Sequence, residues 1–248
     1  MIIPETEINS KETRVQPVFR WLIANGGMSW ANRLVELAHG LSCTISSGDV
    51  VNVQLDPEAE IKPSPARLAW MLRNAEALVP QNGKAWRSLL KRVADRDAVD
   101  RALALLDLGE LKGLPQGLGL EGPTSADCLI ECEHAFIWIE GKRFDWLSPS
   151  ITWDVSRDQL ARNVEAVWSQ AQEPGMDYCV LICHEAALKH HERHLIDGYR
   201  NGTWSAGWPH IDEKQRREFA ERIGTVRWIE IVQEWPEMRS IPELHDVS

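Results

Sequence analysis

Several features are missing from this sequence, and each absence narrows what the protein can be. No apolar run approaches the ~20 residues that a membrane-spanning helix needs. The opening stretch MIIPETEINSKETR has no basic segment followed by a long apolar one, so no secretory leader is read there. None of the five cysteines falls in a CxxC pair. That favours a reducing, cytoplasmic setting over a disulfide framework. Positive charge is scarce: 27 Lys and Arg stand against 37 Asp and Glu, a net charge of −10. Such a surface does not coat DNA non-specifically. It leaves room for local basic patches or a bound cation to overrule the global sign. There is no internal repeat and no low-complexity tract.

What remains is an ordinary globular composition, 44% apolar and 26% charged over 248 residues, enough for a real core. The twelve tryptophans read mainly as core packing, with a few able to stack on bases. Residues 1–112 read as a mainly helical N-terminal region packed on a core formed by 113–248. Ser29 caps a helix over Trp30–His39, Ser64-Pro65 opens another, and two more follow over Trp86–Asp95 and Asp97–Leu111. The helix from Trp86 carries Arg87, Lys91 and Arg92 between Lys84 and Arg96, a candidate phosphate-facing patch. Ser42–Val53 reads as an extended excursion or small hairpin, and Asp56–Pro65 as a loop.

The informative stretch is Glu121 to Lys142, EGPTSADCLIECEHAFIWIEGK. Two apolar runs, Ala126–Glu131 and Ala135–Glu140, flank a polar break and predict a β-hairpin. Glu140 and Lys142 share a face because strand side chains alternate. Asp127 lies opposite Glu140 if the loop is even in length, either Glu133-His134 alone or Cys132–Ala135. Two carboxylates and an ammonium would then converge. Such a set suits a hard divalent cation with several waters, and metal-assisted phosphodiester hydrolysis.

Asp127, an apolar hairpin and then Glu140-Gly141-Lys142 resemble the PD-(D/E)XK nuclease superfamily, the restriction-endonuclease-like fold. Pro123 stands a few residues before the Asp rather than beside it. The resemblance spans roughly Glu121 to Glu185. It implies an α/β fold with an αβββαβ core, a mixed central sheet flanked by helices, Mg²⁺ or Mn²⁺ as cofactor, and cleavage of nucleic acid, DNA by expectation. It assigns metal binding to Asp127 and Glu140, and water positioning or charge stabilisation to Lys142. An extra acid often precedes the first core strand in this superfamily; Glu76, Glu110 and Glu121 are the candidates, with Glu121 at the lip of the strand.

After the hairpin, Ser150–Asp154 reads as the third strand and Arg157–Ala171 as the crossover helix. In similar nucleases a polar residue on this helix reaches the metal site, a role Gln159 fits. Arg162 and Arg143 are the expected substrate contacts. Tyr178–His184 is uniformly apolar, a buried central strand. Glu213–Ile223 reads as a helix and Gly224–Gln233 as a closing strand. His190 and His194 could share a helix face, but no third zinc ligand is evident. The rival reading is a non-catalytic binding or adaptor module on a nuclease-like scaffold. A homodimer or larger complex is left open by either reading.

Overall fold

The hairpin forms where its alternation places it, and the sheet grows outward from it. The computed structural model describes residues 10–144, 146–148, 150–172, 174–188, 194, 197–202 and 207–247. Helices α1 (Gln16–Asn25) and α2 (Trp30–Glu36) come first, then strands β1 (Val50–Gln54) and β2 (Ala59–Ile61). Helices α3 (Pro65–Arg73), α4 (Gly83–Val93) and α5 (Arg96–Asp107) follow. Strands β3 (Thr124–Ala126), β4 (Cys128–Cys132) and β5 (Ala135–Lys142) lead to helix α6 (Gln159–Gln172) and strand β6 (Asp177–His184). The chain continues through α7 (Glu213–Glu221), β7 (Ile223–Arg227) and α8 (Trp228–Glu234).

The central sheet is mixed, in the order β1-β4-β5-β6-β7. The β1–β4 and β4–β5 pairs are antiparallel; β5–β6 and β6–β7 are parallel. A second ladder joins β2 to β3. Every residue of β5 is buried, as a central strand with both faces covered must be. On one face α1, α2 and α8 pack against Ile130, Ile137, Ile139 and Leu181. On the other, α6 and α7 pack against Trp138, Val180 and Ile182. Helices α3, α4 and α5 form a separate cluster around Leu68, Met71, Leu89 and Val99.

Three expectations are corrected. Ser150–Asp154 is not the third strand; it holds only an isolated bridge between Ile151 and Asp154. The sheet position beside β4 is taken by β1, from the stretch read as an excursion. So the residues before 55 add one strand, β1, to the sheet and two helices, α1 and α2, packed on its face, while α3–α5 form their own cluster. The closing strand stops at Arg227. Beyond it Trp228, Ile231 and Val232 are buried at a helical spacing. The Glu230 carboxylate reaches back to accept the Arg227 N–H at 2.9 Å, which starts α8.

Gly141 is a point of close approach. A Cβ there would run into Val15 Cγ2 and lie 3.5 Å from Asp127 Oδ2. Gly141→Ala should therefore cost about 1–3 kcal/mol through overpacking, read as a lowered denaturation midpoint. Much of the loss should return in a Val15→Ala background. No recovery there would show that the clash is not the cause.

Candidate active site

Cys128 pairs with Ile139 and Glu131 with Phe136, so the turn is Glu133-His134 alone and Asp127 stands level with Glu140. Glu140 points to the α6 side of the sheet, with Lys142 two residues further along on the same face. Asp127 falls in the one-residue break between β3 and β4, where the chain leaves the small ladder for the central sheet. On its other side, the register of β2 with β3 brings Glu58 level with it.

The contacts around Glu140 are dense. Lys142 Nζ lies 2.9 Å from Glu140 Oε1. Gln159 Nε2 donates to Oε1 at 2.7 Å, and Asn163 Nδ2 donates to Oε2 at 3.0 Å. Thr124 Oγ1 donates to Asn163 Oδ1 at 3.0 Å, which fixes the amide. Gln159 is itself held by the backbone N–H of Ser148, which donates to its Oε1 at 3.1 Å. Asn163, one turn after Gln159 on α6, is a site residue that sequence reasoning missed. Its spacing from Gln159 was a usable signal.

Asp127 Oδ2 accepts the Gly141 N–H at 2.8 Å. Burial pushes its carboxyl up to about 7, and the nearby charge of Glu140 adds to this; the Gly141 N–H and Lys142 pull the other way. The charge of Glu58 also raises it. Glu58 is paired with Lys11 Nζ at 2.8 Å. Glu58 was hidden in a stretch read only as a loop.

The extra acid expected from sequence finds other employment. Glu121 is buried and accepts from Arg157 Nε and Nη2 at 2.9 Å each, with Arg67 Nε at 3.5 Å and Arg162 Nε at 3.4 Å. It is committed to arginines rather than to Asp127 and Glu140. Glu76 and Glu110 are exposed. Arg162 Nη2 donates to the carbonyls of Gly122 and Pro123, and lines a cleft of ≈ 350 Å³ with Gln81, Ser148, Ser150 and Trp153. Arg143 Nη2 donates to Asp246 Oδ2 at 2.6 Å. On α4, Lys84, Arg87 and Lys91 are exposed, while Arg92 donates to the Gly117 carbonyl and stacks over Trp153. His190 lies outside the described residues.

Among the described residues, no group of three or more His, Cys, Asp or Glu side chains is placed to hold a metal ion. Asp127 and Glu140 offer two hard carboxylates, and the Gly141 carbonyl, which accepts from Ser10 Oγ at 2.9 Å, directly follows Glu140 in the chain. That donor set fits Mg²⁺, which keeps most of its waters, better than a softer ion.

The raised Asp127 carboxyl has a consequence for stability. Its ordinary unfolded value is about 3.9, so ionising it costs more in the folded protein than in the unfolded chain. Its contribution is neutral below about pH 4, turns unfavourable as the pH climbs to about 7, and then levels off. Asp127→Asn should therefore gain on the wild type at pH 8 and not at pH 4 in thermal melts. Mg²⁺ should raise the wild-type melting temperature at pH 8 and leave Asp127→Asn unmoved. An equal response to Mg²⁺ in both proteins would remove Asp127 from the cation site.

No protein-family model, no curated protein and no solved structure matches the chain. No helix among the described residues is long and apolar enough to cross a membrane.

Proposed function

We propose that the protein is a divalent-metal-dependent nuclease acting on DNA. The observation that carries this is the contact of Lys142 with Glu140 at the open end of a buried hairpin, with Asp127 close enough that both charges bear on its carboxyl. A carboxylate pair, one buried and one half-buried, beside a single ammonium is costly without a further cation. Element order supports the reading. Helices precede three antiparallel strands, β1, β4 and β5, followed by a crossover helix and the parallel strand β6. That order is compatible with the αβββαβ core of the restriction-endonuclease-like fold, with residues 55–127 inserted between its first two strands.

Asp127 and Glu140 would hold the cation. When bound, Mg²⁺ polarises a phosphoryl oxygen and acidifies a coordinated water. The chain's own groups do the rest. Lys142 orients the attacking water and balances the negative charge that grows on the phosphoryl oxygens. Gln159 and Asn163 each donate to one Glu140 oxygen, so the carboxylate holds its orientation as charge shifts nearby. Trp228 Nε1 donates to the Lys142 carbonyl at 3.0 Å, which fixes the end of β5. Water oxygen forms a bond to phosphorus as the bond to the sugar oxygen on the opposite side breaks; the water's proton passes to solvent, and the departing oxygen takes one from solvent.

The test is cleavage of linear, supercoiled and single-stranded DNA, and of RNA, with Mg²⁺ or Mn²⁺ and with EDTA. Metal-dependent DNA cleavage is the expected result. The rival, a binding or adaptor module, draws on the full engagement of both Glu140 oxygens by side chains of the protein. Absence of cleavage in every condition would favour that rival.

A further inference from the structure

On the opposite face of β5 from Lys142, two buried guanidiniums meet one exposed carboxylate. Arg14 Nη2 donates to Asp246 Oδ1 at 2.8 Å, and Arg143 Nη2 donates to Oδ2 at 2.6 Å. The side chains of Arg14 and Arg143 are 1% and 8% exposed, while that of Asp246 is 61% exposed. The cations are thus built into the protein and the anion is not. Arg14 is anchored from behind by Glu185 Oε1 at 2.5 Å and by the Thr13 and Glu243 carbonyls. The segment carrying Asp246 is seated by Leu244, which is buried, and by Val247.

The position of this pair ties it to the candidate site. Arg143 directly follows Lys142 on the chain. Arg14 lies one turn beyond Lys11, whose partner Glu58 bears on Asp127. Two fork-shaped donors aimed at the two oxygens of one carboxylate also match the two free oxygens of a phosphodiester.

We propose that Arg14 and Arg143 form a binding site for a backbone phosphate of the nucleic-acid strand, on the far face of β5 from Lys142, and that Asp246 occupies this site until substrate displaces it. The identity of the strand rests on the nuclease reading. Asp246 acts as a built-in competitor. A competitor seated for roughly 80–90% of the time lowers apparent affinity about five- to tenfold.

The experiment measures binding of a fluorescent single-stranded DNA oligonucleotide to the full chain in EDTA, by anisotropy. Asp246→Asn should bind about five- to tenfold more tightly than wild type. Adding Arg143→Gln to Asp246→Asn should abolish that gain. Asp100→Asn, an equal change of charge on the exposed side of α5, should shift affinity less than about twofold, because screening weakens distant charges. A thermal melt of each variant confirms that it is folded. Unchanged or weaker binding by Asp246→Asn overturns the proposal, as does an equal gain in Asp100→Asn or a gain that survives Arg143→Gln. Were Asp246→Asn unfolded, Arg143→Gln alone would decide, since the site requires weaker binding in that variant. Cleavage with Mg²⁺ is followed in parallel. Tighter binding without cleavage keeps this site and discards the nuclease; cleavage with no change in binding does the reverse.

Discussion

Lys142→Ala is expected to lower the rate of metal-dependent cleavage by about 10²- to 10³-fold, the usual cost of deleting one charge-stabilising donor. The ammonium sits 2.9 Å from Glu140 Oε1, and in the proposed mechanism its loss removes the group assigned to the attacking water. Gln159 and Asn163 still hold Glu140, so the fold and the carboxylate geometry should survive. DNA affinity in EDTA should therefore change little, and the loss should appear in kcat. Asp127→Ala should remove activity at least as thoroughly, together with the Mg²⁺-dependent rise in melting temperature. Lys142→Arg should not restore the rate, because a planar fork does not replace a compact point charge in a buried site. Cleavage that persists in both alanine variants would place the chemistry elsewhere.

The largest effect on stability is expected at Arg157. It lies under α6, fully buried, with Glu121 on one side and Glu165 Oε2 at 3.0 Å on the other. Burial works against its charge, but the two carboxylates more than offset this and hold it firmly protonated. Burial likewise opposes the charge of Glu165. Arg157, His210 and Ser64 prevail and bring its carboxyl down to about 2. Arg157→Met would leave Glu121 and Glu165 short of a partner in the interior. The expected cost is about 3–5 kcal/mol, roughly a 10 °C fall in melting temperature. Arg162→Ala, which removes a partly exposed partner of the same Glu121, should cost less than about 1 kcal/mol. Similar losses in the two variants would mean that the buried network is not what anchors α6.

The site was more legible than the frame around it. Alternation and the polar break predict the hairpin and, for an even loop of two or four residues, set Asp127 level with Glu140; the structure has the two-residue turn. Gln159 was reachable because it begins the helix after the motif. Glu58 was not, because its place beside Asp127 depends on a pairing between residues more than sixty apart in sequence. The strand β1 was lost for a similar reason. Val50–Gln54 is mostly exposed or half-buried on an edge, so it lacks the apolar signature of the inner strands. Residues 150–154 have the β-branched composition of a strand, yet they close only an isolated bridge between Ile151 and Asp154. Glu121 looked like a ligand from its place at the lip of β3, and no local pattern announced the three arginines that claim it. The stretch after Arg227 alternates well enough to read as a strand; burial at a spacing of three and four decides for the helix.

The break at Asp127 gives this acid a different kind of support from its neighbours. Glu140 and Lys142 ride on a strand paired along its whole length with β6. Asp127 is carried at a joint whose near arm is the β2–β3 ladder, and that ladder bounds the insertion bearing the helices α3–α5. Shortening or re-angling the inserted arm therefore shifts one carboxylate while the other two groups stay fixed. The sheet can be inherited unchanged while the reactive geometry is retuned, or dismantled, from the insertion alone.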